Sequence, residues 1–346
     1  MTIRKKRSGA FKAGLFVGFI LLLGAGLTAA WFFAAGKIEQ TVNGARQQLA
    51  ERGIAADCDG MAVRGFPFRI GLFCRSMHYA DPVGGVTVSG KALRSAAQLY
   101  RPGHVVAELD GPLEITAPGF VPLSLNWQNL QTSTRVSTGG LRRFSLVTDR
   151  LDVSARDFGV PDLLGSLEQL QFHLRAGDED AGGGAADLEA SLRADGWQID
   201  DGGTGLIEPV DLSVSALAEN GLAVAMSGQD LLAWVRANGG ALKRSDITFS
   251  TRSGGRLRLR GPLQVDGRGR LSGEIEVDLD DPSKLVDYAA SIFPPARDML
   301  AQPVGYLEQM AADNNGRREI RGLKLLIDKG SVRLGFIEIA RLPRLF

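Results

Sequence analysis

The pattern of hydrophobic and polar positions divides the chain into two unlike parts. Residues 13–35 form an uncharged and almost wholly apolar run. About twenty apolar residues at helical rise are enough to cross a ~30 Å hydrocarbon core, so this run predicts a transmembrane anchor. A cleaved signal peptide is the alternative, with Thr28-Ala29-Ala30 as a poor cleavage site. Signal peptides usually have an apolar segment of only ~7–15 residues, and the longer run here favours the anchor.

Basic residues flank the apolar run on its amino-terminal side only. Arg4-Lys5-Lys6-Arg7 and Lys12 precede it, with no Asp or Glu. Because Lys/Arg-rich flanks stay in the cytoplasm, residues 1–12 are predicted to be a cytoplasmic tail and residues 54–346 an exported body. Between anchor and body, residues 36–53 place apolar side chains at helical spacing. They predict a juxtamembrane helix that ends at Gly53.

Beyond residue 53 the hydrophobic period is mostly two, and residues 256–280 show it most clearly. Folding this segment about Arg268 predicts a hairpin in which Arg260 faces Glu276 and Arg258 faces Asp278. A shift of one residue would exchange the two faces, and opposite charges add about 0.2–1 kcal/mol per pair. The residues predicted on the apolar face, which are also the candidates to contact lipid, are Leu257, Leu259, Leu263, Val265, Leu271, Ile275, Val277 and Leu279.

Similar alternation predicts further strands at 105–115, 121–127, 144–153, 167–174, 187–194 and 207–216, and a last hairpin about Asp328-Lys329-Gly330. Helices are predicted only at 92–100, 229–238 and 284–312, the last interrupted by Pro294-Pro295 and Pro303. The predicted fold class is mainly β (α+β): a curved, Gly-rich antiparallel sheet with few helices. The apolar face of such a sheet must be covered by helices, a second sheet or a ligand. The sequence leaves a filled core and an open lipid-binding groove as alternatives.

The chain has two cysteines, Cys58 and Cys74, without the spacing of a metal site. Outside the cytoplasm they predict one disulfide; two buried thiols are the alternative. The segment between them predicts a hairpin tip, Gly65-Phe66-Pro67-Phe68-Arg69, because Gly and Pro favour a bend. A disulfide would close a loop of about 15 residues at the base of this hairpin, which is worth ~3 kcal/mol.

Charge and motifs argue against several function classes. Apart from the five basic residues before the anchor, 35 basic and 39 acidic residues remain, a net charge of −4, so a nucleic-acid partner is not expected. Residues 85–92 match the spacing of a phosphate loop except that Ala92 replaces the magnesium-binding Ser or Thr. His78, His104 and His173 lack metal-type spacing. We therefore expect no enzyme, no cofactor and no metal.

The order of these features resembles a known family. It comprises a basic cluster, a single anchor, a helix, the Gly65–Arg69 tip between two cysteines, Gly-Pro-Leu strands and a closing hairpin. This order is similar to the alphaproteobacterial membrane-anchored domain of unknown function 2125 and, more distantly, to AsmA-like envelope proteins. The resemblance implies an inner-membrane protein with a periplasmic body. AsmA-like proteins are thought to present an apolar sheet face to lipid, although this chain is too short to bridge an envelope alone.

Two functional hypotheses of different class follow. In the first, the anchored sheet binds phospholipid or another acyl-chain ligand in envelope maintenance. In the second, the core is filled, and the body is a structural or adaptor protein that docks other envelope proteins. The sequence does not decide between them.

Overall fold

A computed structural model describes residues 9–155, 163–177, 186–199, 207–226, 231–314 and 317–346. The basic cluster Arg4–Arg7 lies outside the described residues. The helices are α1 (Gly9–Glu51), α2 (Gly221–Met226), α3 (Leu231–Asn238), α4 (Pro282–Ile292) and α5 (Ala296–Met310).

The first half of the body contributes β1 (Ala55–Asp59), β2 (Ala62–Arg64), β3 (Arg69–Cys74), β4 (Ser76–Asp81), β5 (Val86–Gly90), β6 (Leu93–Gln98), β7 (Arg101–Leu109), β8 (Leu113–Thr116), β9 (Leu123–Asn126), β10 (Asn129–Ser137) and β11 (Gly140–Ala155). The second half contributes β12 (Leu163–Ala176), β13 (Leu188–Ile199), β14 (Val210–Ala218), β15 (Gly240–Thr251), β16 (Arg256–Val265), β17 (Leu271–Asp280), β18 (Ala312–Asn314), β19 (Arg317–Asp328), β20 (Ser331–Leu334) and β21 (Ile337–Arg341).

The residues predicted as anchor and juxtamembrane helix form one continuous helix of 43 residues, α1. Its length at 1.5 Å per residue is about 64 Å, roughly twice a hydrocarbon core, and it is long and apolar enough to span a membrane. Gly53 ends it with a positive φ of 77°. There the Ile54 N–H donates to Leu49 O at 3.0 Å and the Gly53 N–H to Ala50 O at 2.9 Å, the two bonds of a Schellman cap.

The strands form one antiparallel sheet in which neighbours in sequence are neighbours in space. β1–β2, β3–β4, β5–β6, β7–β8 and β9–β10 act as five long strands, each interrupted in the middle, and β11 pairs with both halves of the fifth. From β11 the meander continues through β12 to β17, then β19, β20 and β21. The sheet is open, which confirms the predicted antiparallel, mainly β fold class.

The interruptions in the first five long strands lie side by side and form a crease across the sheet. Within it, hydrogen bonds link neighbouring strands: Asp110 N–H donates to Ala92 O at 2.9 Å, and Gln128 N–H to Asp149 O at 3.0 Å. Trp127 is buried there and its indole N–H donates to Leu109 O at 2.8 Å. The predicted strand 105–115 is therefore two strands, because it bends at the crease.

The predicted register of the 256–280 hairpin is confirmed. Arg260 pairs with Glu276, Arg258 with Asp278, and Leu257 with Leu279. The charged face extends beyond the hairpin, since Arg258 also donates to Asp246 of β15 and Arg260 to Asp278. Alternating charge thus fixes three neighbouring strands in one register.

α4, α5 and β18 are inserted between β17 and β19, and they cover part of the apolar face. The buried cluster beneath them consists of Ile275, Val277, Leu279 and Ile320. Leu285 of α4 and Leu307 of α5 pack against this cluster. The break between the two helices falls at Phe293–Pro295 as predicted, but α5 continues through Pro303.

The predicted helix at 92–100 is wrong, because these residues form β6 and the turn that follows it. β6 pairs with β3 on one side and β7 on the other. Ser95 Oγ donates to Leu72 O at 3.0 Å and accepts from Leu72 N–H at 2.8 Å. Two partner strands and this side-chain bridge override the local helical spacing.

Because the strands alternate in direction, the connections alternate between two edges of the sheet. The β2–β3 turn, the α2–α3 connection between β14 and β15, and the β16–β17 turn all lie on one edge, which we call the tip edge. α1 packs against the first strands of the meander. Arg46 donates to Ala56 O at 2.9 Å and pairs with Asp57.

Candidate functional site

An apolar cavity of about 550 Å³ lies at the tip edge between the helices α2 and α3 and the strands β15–β17. Val224 of α2 and Trp234 and Val235 of α3 line it on the helical side, and Leu263 and Leu271 on the sheet side. Cavities that bind small molecules are typically ~300–1,000 Å³ and mainly apolar. The size and the lining of this cavity suit an apolar ligand.

The structure divides the eight predicted lipid-facing residues between two environments. Leu263, Val265 and Leu271 line the cavity. Ile275, Val277 and Leu279 are buried in the cluster beneath α4 and α5, and Leu257, Leu259 and Leu263 pack against it, so that Leu263 borders both environments. The apolar face is therefore part filled core and part cavity.

The amino-terminal end of α2 is held by an ion pair at the rim of the cavity. Lys243 Nζ donates to Asp187 Oδ2 at 2.8 Å, and Asn220 N–H to Asp187 Oδ1 at 3.1 Å. The hydrogen bond from Lys243 lowers the pKa of Asp187 below its ordinary value, against the opposing effect of desolvation. Asp187 is thus a carboxylate that ties β15 to the start of α2.

The β16–β17 turn beside the cavity is organised by Asp266. Its Oδ1 accepts from the N–H groups of Arg268 and Arg270 at 2.9 and 3.0 Å, and its Oδ2 accepts from Arg270 Nε at 2.8 Å. The backbone and side chain of Arg270 are the largest causes that lower the pKa of Asp266 to about 2. The carboxylate form therefore stabilises the turn.

Acid is expected to remove this stabilisation. Because the pKa of Asp266 is lowered from its ordinary value of 3.8 to about 2, its contribution is present above pH 4 and disappears as the pH falls to 2. Asp266→Asn should lower the melting temperature at pH 7, and the difference from wild type should shrink between pH 4 and pH 2. Melting both proteins across this range tests the prediction; a difference independent of pH would contradict it.

The structure contains the disulfide between Cys58 and Cys74, with the two Cα atoms 5.3 Å apart. Cys58 lies on β1 and Cys74 at the end of β3, so the bond crosses the crease beside the β2–β3 hairpin. Residues 65–68 form the turn of this hairpin, since Arg64 pairs with Gly71. Gly65 has a φ of 113°, a backbone conformation that favours glycine.

The hairpin tip packs against α1. Trp31 is 7% exposed and forms a buried cluster with Ala35 and Ile70. Its indole N–H donates to Arg69 O at 2.7 Å, and its ring lies edge-to-face with Phe66 at 5.6 Å between centroids. The tip is therefore fixed at the level of Trp31, near the end of the apolar run.

The residues considered for catalysis do not come together. His78 lies on β4, His104 on β7 and His173 on β12; His104 Nε2 is 3.0 Å from Ser133 Oγ. Residues 86–90 of the phosphate-loop-like segment form strand β5. Within the described ranges, no group of three or more His, Cys, Asp or Glu side chains is placed to hold a metal ion.

Sequence reasoning missed α2 and most residues of the cavity. Val224, Trp234 and Val235 become cavity residues only because the β14–β15 connection folds back over β16. Leu345 also lines the cavity, and its N–H donates to Gly269 O at 3.0 Å. The apolar spacing of residues 229–238 predicted a helix there, but it did not predict where in the fold this helix packs.

Fold and site together define a class of protein: an open antiparallel meander with one long apolar amino-terminal helix and a cavity beneath two short helices. Residues 31–343 match the family of uncharacterised proteins conserved in bacteria, domain of unknown function 2125, and the chain belongs to this family. Searches of curated proteins and of solved structures find no match. The more distant similarity to AsmA-like proteins stays a prediction.

Proposed function

We propose that this is a non-enzymatic, single-pass inner-membrane protein whose periplasmic body binds an acyl chain of a lipid in the cavity beneath α2 and α3. The observation that carries the proposal is the cavity itself, which has an apolar lining and a volume of about 550 Å³. Its apolar walls favour a hydrocarbon ligand. The charged rim around Asp187 and Asp266 would leave a polar head group at the entrance.

Three observations support the proposed location. Lys12 and the cluster Arg4–Arg7 precede the apolar run, which favours a cytoplasmic amino terminus. The disulfide is typical of an oxidising compartment such as the periplasm. The cavity and the hairpin tip that packs on α1 lie on the same edge of the sheet.

Quenching of tryptophan fluorescence tests the proposal. Trp234 lines the cavity, whereas Trp31, Trp127 and Trp197 do not. Full-length protein in detergent micelles would be titrated with a brominated fatty acid, alongside a Trp234→Phe control. We expect greater quenching in wild type than in the control, because bromine in the cavity quenches Trp234 at contact. Equal fractional quenching in both would overturn the proposal.

A second candidate, an adaptor that docks another envelope protein, is favoured by the last strand. β21 pairs with β20, and Ile337 and Ile339 are exposed. An exposed edge strand can pair with a strand of another protein. A photo-crosslinking amino acid at Ile339 in cells should then trap one stoichiometric protein, and Ile337→Lys should abolish the adduct. An adduct that survives Ile337→Lys, or none at all, argues against the adaptor.

A further inference from the structure

The hairpin tip carries large apolar side chains that the protein leaves uncovered. Phe68 is 60% exposed, and Tyr100, in the neighbouring β6–β7 turn, is 69% exposed. The two turns are adjacent, because Leu99 N–H donates to Phe68 O at 2.9 Å. Phe66 is also exposed, although its ring and the ring of Trp31 are in an edge-to-face contact. These three exposed aromatic side chains therefore lie on two adjacent turns and are called the aromatic patch below. Exposed apolar patches on folded proteins mark interaction surfaces.

The position of the aromatic patch along α1 places it at the end of the predicted membrane span. The apolar run ends at Ala35, so Trp31, Phe32 and Phe33 belong to its last turns. Aromatic residues at the end of a membrane span lie at the level of the lipid head groups. Phe66 is 5.6 Å from Trp31 and 6.1 Å from Phe32 between ring centroids. If α1 spans the bilayer, the tip lies at the same depth.

The charges around the patch suit the same surface. Arg64 and Arg69 are exposed on either side of the tip turn, and Arg101 is exposed at the start of β7. Arg64 lies over the ring of Phe73 at 5.5 Å. In the part of the chain that the structure describes, none of the three forms an ion pair with a carboxylate. A guanidinium group binds a phosphate through two parallel N–H···O hydrogen bonds. The phosphates of lipid head groups would lie at the same depth as the tip.

We propose that the tip is a second membrane-binding element: Phe66, Phe68 and Tyr100 insert into the interfacial region of the leaflet from which α1 emerges, and Arg64, Arg69 and Arg101 bind lipid phosphates. This proposal is independent of the cavity and concerns the bilayer itself. The bilayer would then be contacted at two points, and these would fix the orientation of the body. The tip edge, which includes the α2–α3 helices, would be held in a constant relation to the membrane surface.

Site-directed fluorescence in proteoliposomes tests this proposal. Among the described residues there is no free cysteine, and the sequence has only the two disulfide-bonded cysteines, so a single new thiol can be labelled selectively. Phe68→Cys would carry an environment-sensitive NBD probe in the full-length chain. The matched control is Val83→Cys, which is 90% exposed in the β4–β5 turn on the opposite edge.

The probe at residue 68 should emit at shorter wavelength than the control. Lipids with a nitroxide near the head group should quench it several-fold more than the probe at residue 83. Tyr100→Cys provides a second reporter in case Phe68→Cys does not fold, and it should behave like residue 68. Water-like emission and control-level quenching at both reporters would overturn the proposal.

Discussion

Leu263→Asp is expected to remove most of the lipid bound in the cavity, reducing the lipid in excess of that surrounding α1 at least about tenfold relative to wild type, the equivalent of ~1.4 kcal/mol. Leu263 lines the cavity on the β16 side. A carboxylate there would have to lose its water when an acyl chain enters, and burial of an unpaired charge is strongly unfavourable. Lipid extraction and mass spectrometry of the purified full-length chain would give the lipid bound per protein.

The matched control for this variant is Leu326→Asp. Leu326 lies on β19 and is 48% exposed, so a carboxylate there stays in water. Both variants keep the same α1, and lipid that merely surrounds the helix contributes equally to both. Ala225→Phe, which would fill part of the cavity, should also lose lipid without introducing a charge. Retention of lipid by Leu263→Asp at the level of Leu326→Asp would contradict the account.

Removing the disulfide is expected to lower the free energy of unfolding. Cys58 and Cys74 are separated by 16 positions, and opening a loop of this length costs about 3 kcal/mol of unfolding free energy. Urea denaturation of Cys58→Ala/Cys74→Ala in detergent micelles would measure the loss. Reduced wild type serves as the comparison and should approach the variant. A midpoint equal to that of oxidised wild type would contradict the expectation.

The parts of the fold that could be predicted are those in which the local hydrophobic pattern and the neighbouring segment of the chain indicate the same structure. In the β16–β17 hairpin, alternation defines the faces, and Arg258 and Arg260 meet acidic residues in only one register. Helix α1 and its end at Gly53 could be predicted for a similar reason, because the apolar spacing indicates a helix and the glycine indicates its end.

The failures arise where the partner is distant in sequence. Residues 92–100 have helical spacing, yet most of them form β6, which pairs with β3 and β7 in the sheet. The crease depends on Trp127 reaching Leu109 O, which no single strand encodes. The cavity likewise requires Trp234 of α3 to line the same space as Leu263 of β16. Trp31 packs against the hairpin tip. The sequence shows that both segments are apolar, but it does not show that they contact each other.

The central claim, that the cavity beneath α2 and α3 holds an acyl chain, is tested most directly by the site of crosslinking. Full-length protein would be illuminated with a phospholipid that carries a diazirine at the end of one acyl chain, and the labelled peptides would be mapped. We expect adducts on peptides that contain Trp234 and Leu263, and a loss of these adducts in Leu263→Asp. Adducts confined to residues 13–35 would contradict the claim, because the lipid would then contact only the apolar helix.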